Sequence, residues 1–462
     1  MKLYNTMSQS KEELVTLEPE KVKLYTCGLT VYSQPHIGNW VAYIYWDLLV
    51  RTLTECGYVV ERVQNITDVG HLVSDDDTGE DKMEKGARIE GVTAWEVADK
   101  YIDIAQRESE LLKLIPPNKL IRATDLIQEQ IKFVQELEAK GFTYIIDDGV
   151  YFDTSKLSDY GKLARLDIEG LRAGERVDIG HKRNPTDFAL WKLSPKDTKR
   201  DMEWESPWGV GFPGWHLECS VIARQTLGDQ IDIHTGGIDH IPVHHTNEIA
   251  QTESVTGKQF SRFWIHGNHI KVNGTKISKS LGNTYTLQDI IDKGYTLDAF
   301  KLMVLSKHYL TEGNFTWEIL QTAQNRLNNW RAVADLYWQT HSINTDDNEI
   351  VMNFTKEMDQ AISDDLNSPK ALMIVDQYLE KIKSKIPNAP YILQILDYID
   401  AVFGISLHSK DITDAQKSLI KVREQARGSS DWSRSDEIRD QLRQQGIELN
   451  DGQLGVTWRH ST

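Results

Sequence analysis

Between residues 22 and 66 the chain reads as strand, glycine-containing turn, helix and strand, and this order constrains the fold more than any other feature. Val22 to Thr26 alternates over a strand's length and runs into the loop CGLTVYSQPHIGN. Trp40 to Leu53 follows as a helix-length stretch with apolar residues on most faces, so it is expected to be buried against a sheet. Gly57 ends it, and Tyr58 to Val63 makes the next strand, followed by Asn-Ile-Thr-Asp. This is the β-α-β order of a doubly wound α/β sheet, whose ligands sit beyond the carboxyl ends of the strands.

The rest of the chain is read against that start. The polar stretch from Asp75 to Gly91 is expected to be a flexible surface loop; it carries His71 just upstream and a run of Asp. Residues 92 to 140 are helical in pattern, interrupted by Pro116 and Pro117, and Phe142 to Asp201 reads as an inserted module with β-rich alternation from Tyr144 to Phe152. Sheet character returns at Gln230 to Thr235 and at Phe263 to Val272. The last 150 or so residues are strongly helical, for example Trp317 to Trp338 and Ala371 to Lys385.

Composition excludes some classes. At 462 residues the chain is too long for one core. No run of about 18 apolar residues indicates a membrane span, and the start lacks a basic-then-apolar leader, so the cytoplasm is expected. Three cysteines, Cys27, Cys56 and Cys219, argue against a disulfide scaffold. A formal charge of -17 disfavours indiscriminate nucleic-acid binding, although a local basic path would still allow an RNA partner.

Two short motifs carry phosphate chemistry. In Pro35-His36-Ile37-Gly38-Asn39 a His and a Gly stand where a helix begins. The glycine lets backbone approach a triphosphate, the helix N-terminus favours its charge, and the imidazole can donate to it. Alone, this would read as a turn before a buried helix. In Lys276-Ile277-Ser278-Lys279-Ser280 two lysines and two hydroxyls suit nucleotidyl transfer, where charge builds on the α-phosphate and pyrophosphate. Alone, this would read as a solvated lysine loop. The soft-ligand candidates are Cys27, Cys219 in PGWHLECS, and His244 and Glu248 in HHTNE, which lie four apart on one helix face. Two thiolates, an imidazole and a carboxylate form a plausible zinc set. Cys56 is expected to be a small buried hydrophobe, and His240 and His245 receive no role.

Together, HIGN near the N-terminus and KISKS some 240 residues later resemble the paired signatures of class I aminoacyl-tRNA synthetases. One departure is visible: the second His of the usual signature is Asn39, which donates hydrogen bonds but carries no charge. YTCGLTVY, PGWHLECS and HHTNEIAQ resemble the zinc-binding segments of cysteinyl-tRNA synthetases, and ARGSSDWSRSDEIRDQLRQQGIELNDGQLGVTWR resembles their terminal anticodon-recognition domain. The resemblance covers nearly the whole chain. It implies one zinc ion held by Cys27, Cys219, His244 and Glu248, which takes the substrate thiol as a further ligand, with a four-ligand structural site as the competing reading. It implies Gly28, Thr67, Trp215, His216 and Asp239 around the bound cysteine, with Asp239 facing the ammonium group. His36, Gly38, Asn39, Lys276, Ser278, Lys279 and Ser280 would meet ATP, with His36, Asn39, Lys276 and Lys279 stabilising the reacting phosphates. Arg427, Trp432, Asp436 and Asp451 are the implied anticodon readers.

The same resemblance implies a Rossmann-like catalytic domain over 1–118 and 207–262 with an inserted module at 119–206. A stem-contact region at 263–312, a helical bundle at 313–405 and an anticodon domain at 406–462 would follow. The expected activity is a cysteine–tRNA ligase that uses L-cysteine, ATP with Mg²⁺ and tRNA(Cys), and a monomer is expected. A zinc-dependent ligase joining cysteine to an amino sugar, or a non-catalytic RNA-binding paralogue, are the alternatives. The amino-sugar ligase would not need the tail beyond about residue 406, and the paralogue would not need intact motifs.

Overall fold

The structure is a computed structural model that describes residues 1–70, 81–166, 182–195, 200–278, 281–339, 348–385, 389–452 and 455–461. The chain forms two compact units: Met1–Leu287 with Tyr309–Asn314, and Gln288–His308 with Phe315–Thr462.

The first unit is built on five parallel strands: β1 (Lys21–Thr26), β2 (Val59–Ile66), β3 (Lys119–Arg122), β4 (Ile231–Gly237) and β5 (Ser261–Gly267). Their spatial order is β5-β4-β1-β2-β3. The chain therefore grows outward from β1 in one direction and later resumes on its other side, leaving a switch point between β1 and β4. In such sheets the carboxyl ends at the switch point open into a crevice, because successive connections leave in opposite directions.

The helix α1 (Ile37–Glu55) connects β1 to β2. Trp40, Tyr45, Trp46, Leu49 and Leu53 are all buried, as the all-round apolar pattern predicts. Each buried leucine contributes about 2–3 kcal/mol through removal of its surface from water. Cys56 caps the C-terminus of α1 and is exposed, contrary to the expected burial, because Gly57 turns the chain away at φ 87° before any neighbour covers the thiol.

Part of the expected surface loop is a helix. Residues Lys82–Glu90 are α-helical, with Asp81 accepting hydrogen bonds from the backbone N–H groups of Met83 (2.7 Å) and Glu84 (3.1 Å) and with Gly91 closing the helix at φ 70°. Its apolar face is only Met83 and Ala87, both buried, so the charged residues between them masked the period. His71 and residues 75–80 lie outside the described residues. Between the two halves of the parallel sheet lies a four-stranded antiparallel sheet, Thr143–Ile146, Gly149–Phe152, Phe188–Leu193 and Gly211–Pro213, whose last strand falls beyond residue 206.

The second unit is helical, as expected: Leu297–Leu305, Trp317–Ala334, Asn348–Ile362, Ser368–Lys385 and Ala389–Phe403. It continues through Asp414–Gly428 and Trp432–Gln444 to an antiparallel hairpin, Ile447–Gly452 with Gly455–His460. Ile412, Ile438, Leu442, Ile447, Leu449 and Trp458 form the core of this last part. Among the described residues no helix is long and apolar enough to cross a membrane.

Candidate active site

The switch point gathers the soft ligands. Cys27 follows β1 directly. Its N–H donates to Thr235 O on β4 (3.3 Å), and its carbonyl accepts from Tyr43 Oη on α1 (3.1 Å). Cys219 lies on α2 (Trp215–Leu227), and His244 and Glu248 lie one turn apart on α3 (His244–Thr256). The four residues are buried, and one donor atom from each lies within 4.8 Å of the others. The two sulfurs are 4.0 Å apart without a disulfide, and His244 Nε2 is 3.1 Å from Glu248 Oε1. Glu248 Oε1 is fully buried and, apart from the approach of His244 Nε2, has no hydrogen-bond partner among the described residues. A buried carboxylate oxygen in that state costs free energy that a bound cation would recover. The set is compatible with a metal ion.

A second set shares two of these groups: Cys27, His234, His245 and Glu248. Their hydrogen bonds assign them a different part. His234 Nε2 is 2.9 Å from Glu248 Oε2, and His245 Nε2 is 3.4 Å from Cys27 Sγ. His245 Nδ1 is in turn 2.7 Å from His266 Nε2, and His266 Nδ1 is 2.7 Å from Thr6 Oγ1. Such bonds orient first ligands rather than replace them. The site with two thiols has the stronger claim on a soft metal.

Electrostatics follow the same geometry. Burial pushes the Cys27 thiol well up, assisted by its hydrogen bond to Cys219 and by the charges of Cys219, Glu248 and Asp239. The bond donated by Cys27 holds Cys219 down, against its burial and with help from His244. Burial disfavours charge on His244, but the hydrogen bond and charge of Cys219 and the nearby Glu248 raise it to about 10. Burial likewise opposes ionisation of Glu248, yet the charge and hydrogen bond of His234, with His244, hold it at about 2. The pocket thus joins groups of opposite charge, and its two thiols, imidazole and carboxylate are donors that suit a divalent ion.

The residues expected around a bound cysteine border this array. His216 Nδ1 lies 3.0 Å from His244 Nδ1, so it orients a candidate metal ligand. The Trp215 ring is 4.7 Å from that of His244, and half-exposed. Asp239, in the turn after β4, is 59% exposed and 3.7 Å from His269 Nε2, so its carboxylate is open to a ligand. Gly28 N–H donates to Asn65 Oδ1 (2.7 Å), and Asn65 Nδ2 donates to Thr67 Oγ1 (3.1 Å). Gly28 must be glycine, because a methyl group there would lie 1.6 Å from the Asn65 carbonyl oxygen.

The two phosphate motifs also meet. His36 is the N-cap of α1, and its backbone N–H donates to Asn39 Oδ1 (3.0 Å), one half of a capping box. The unusual Asn39 therefore has a structural task that leaves its amide donors available. A methyl on Gly38 would come 2.8 Å from Ile277 Cδ1 and 3.0 Å from the His36 ring, so this glycine lets the two motifs approach. Asn283 ties the second loop: Ser278 N–H donates to its Oδ1 (2.8 Å), and its Nδ2 donates to Lys276 O (3.1 Å). Lys276 is exposed, while Lys279 and Ser280 lie outside the described residues.

In the second unit the four expected anticodon residues are grouped. Asp451 accepts from Arg423 Nη1 (2.8 Å) and Nη2 (2.7 Å), and Arg427 Nη1 is 3.1 Å from Asp451 Oδ2. The Arg427 guanidinium lies 5.7 Å from the centre of the Trp432 ring, which is 57% exposed. Asp436 acts electrostatically on Arg423. Sequence reading missed the buried Arg423, although it lies one helical turn before Arg427 on the same face. It also missed His234, His266 and Asn65, which bond to Glu248, to His245 and Thr6, and to Gly28 and Thr67, pairings that no local pattern announces.

Residues 13–325 match the tRNA synthetases class I (C) catalytic domain family, and residues 409–459 match the cysteinyl-tRNA ligase anticodon binding domain. The chain is 43% identical over 455 residues to cysteine--tRNA ligase 1 of Burkholderia lata, covering 97% of this chain and 94% of that one. It is 39% identical over 491 residues to cysteine--tRNA ligase of Treponema denticola, covering 99% of both. The fold is similar to that of Mycobacterium tuberculosis methionyl-tRNA synthetase in complex with methionyl-adenylate, with a TM-score of 0.55, 14% identity and coverage of 83% and 89%. The chain belongs to the cysteine--tRNA ligase family of class I tRNA synthetases.

Proposed function

We propose that this chain is an ATP-dependent cysteine–tRNA ligase that activates L-cysteine as its adenylate and transfers it to the terminal adenosine of tRNA(Cys). The observation that carries the substrate assignment is the buried Cys27, Cys219, His244, Glu248 set at the switch point, beside the exposed carboxylate of Asp239. The 4.0 Å sulfur separation suits zinc, since two thiolates at tetrahedral zinc stand about 3.8 Å apart. When bound there, zinc supplies a soft Lewis acid that favours a thiolate over a hydroxyl and so separates cysteine from serine.

The chain's own groups do the rest. Asp239 pairs with the substrate ammonium, Gly28 and Thr67 line its polar side, and Trp215 and His216 wall the small pocket. The substrate carboxylate attacks the ATP α-phosphorus and pyrophosphate leaves. His36, Asn39, Lys276 and Lys279 stabilise the phosphate charge, Gly38, Ser278 and Ser280 hold the nucleotide with Mg²⁺, and no covalent enzyme intermediate is needed. The terminal 2′-hydroxyl of the tRNA then attacks the adenylate carbonyl and AMP departs. The anticodon-domain match over residues 409–459 supports tRNA, rather than an amino sugar, as acceptor. Arg427, Trp432, Asp436 and Asp451 are the proposed base readers, by stacking and edge hydrogen bonds. The division at 118, 206, 262, 312 and 405, a monomeric state and a cytoplasmic location belong to the same proposal.

The test is charging of tRNA(Cys) with labelled cysteine, alongside metal analysis of the purified protein. Charging with about one zinc per chain supports the proposal. Cysteine-dependent ATP–pyrophosphate exchange without charging would favour the sugar ligase, and no exchange would favour the paralogue.

A further inference from the structure

We propose that Asn65 is a positioning residue that fixes the cysteine pocket by tying the Cys27–Gly28 loop to Thr67; this rests on the cysteine-ligase reading above. Asn65 ends neither strand nor loop by chance of packing: its side chain is 1% exposed on β2 and makes two directional bonds of opposite sense. Its Oδ1 accepts from Gly28 N–H at 2.7 Å, and its Nδ2 donates to Thr67 Oγ1 at 3.1 Å. A short carboxamide offers an acceptor and a donor side by side without any change of charge.

The backbone continues the connection. Thr67 N–H donates to Leu29 O (3.1 Å), and Val31 N–H donates to Thr67 O (3.2 Å). The turn after β1 and the turn after β2 are thereby one unit. Cys27 is held from two other sides by Thr235 O and Tyr43 Oη, so the Asn65 bond to Gly28 completes the constraint on this segment. Gly28 rests on Asn65 so closely that no side chain fits between them.

The polarity matters for the ligand. With Asn65 donating to Thr67 Oγ1, the hydroxyl retains one proton and one lone pair for the substrate. Without that donor the hydroxyl rotor is free, and a misplacement at a positioned polar group lowers affinity for what it meets without touching the nucleotide side.

The experiment compares wild type, Asn65→Ala, Thr67→Val and the double variant in cysteine-dependent ATP–pyrophosphate exchange, with metal content and thermal midpoint measured on each. Asn65→Ala is expected to raise KM for cysteine about tenfold. KM for ATP should stay within about twofold, and zinc content should match wild type. The double variant should lie within about twofold of the worse single variant, since both substitutions act through the Asn65–Thr67 bond. An unchanged KM for cysteine, a parallel rise in both KM values with a lowered midpoint, or fully additive losses would each overturn the inference. If Asn65→Ala does not fold, Asn65→Asp keeps the acceptor for Gly28 and loses the donor to Thr67; a raised KM for cysteine supports the inference and an unchanged one overturns it. Wild type without cysteine-dependent exchange overturns the reading of the site, and this inference with it.

Discussion

Cys219 and Asn39 show how much rests on single side chains. Cys219→Ser removes one of two sulfurs that stand 4.0 Å apart, beside the buried Glu248 carboxylate. We predict a loss of zinc affinity on the order of 100-fold, accompanied by a similar rise in KM for cysteine. Metal analysis after dialysis and exchange kinetics check both; cysteine binding that outlasts the zinc would refute the thiolate role. Asn39→Ala removes the acceptor for His36 N–H and should destabilise the first unit by about 1 kcal/mol, read as a shift in denaturant midpoint. Asn39→Asp keeps that acceptor but sets a carboxylate beside the proposed triphosphate site. Its stability should hold while KM for ATP rises about tenfold.

Among the elements, Gly28→Ala tests the close packing of the turn after β1 on β2. Overpacking against the Asn65 carbonyl should cost about 1–3 kcal/mol and lower the thermal midpoint, together with cysteine affinity. The β-α-β start and the terminal helices were legible because their apolar periods are strong and local, as in the buried faces of Ile37–Glu55. Lys82–Glu90 was not, since two buried residues, Met83 and Ala87, among charged neighbours and the exposed Ile89 give a weak period. The edge strand Lys119–Arg122 escaped because only four residues follow the proline pair, and its partner lies at residues 63–66. At the site, Cys27, Cys219, His244 and Glu248 were legible through chemistry and family resemblance. His234, His245 and His266 were not, for their bonds join positions 14 or 21 residues apart or much farther.

For the molecule as a whole, the two units carry the two halves of the proposed activity: ligand chemistry at the switch point of the first, base reading in the second. The pairing of Asp451 with Arg423, and then with Arg427, holds its carboxyl below the ordinary value of 3.8. A depressed folded-state value means that the pair's stabilisation is fully present above pH about 4 and is lost as pH falls through the lower folded value. Asp451→Asn should therefore flatten the acid limb of unfolding in the second unit, followed by circular dichroism, while leaving stability below that limb unchanged. The central claim is that a buried metal site with two thiolates selects the substrate by its thiol. ATP–pyrophosphate exchange with L-cysteine and L-serine tests it directly. The account predicts exchange with cysteine and a kcat/KM for serine lower by about four orders of magnitude or more; serine within about tenfold of cysteine would contradict it.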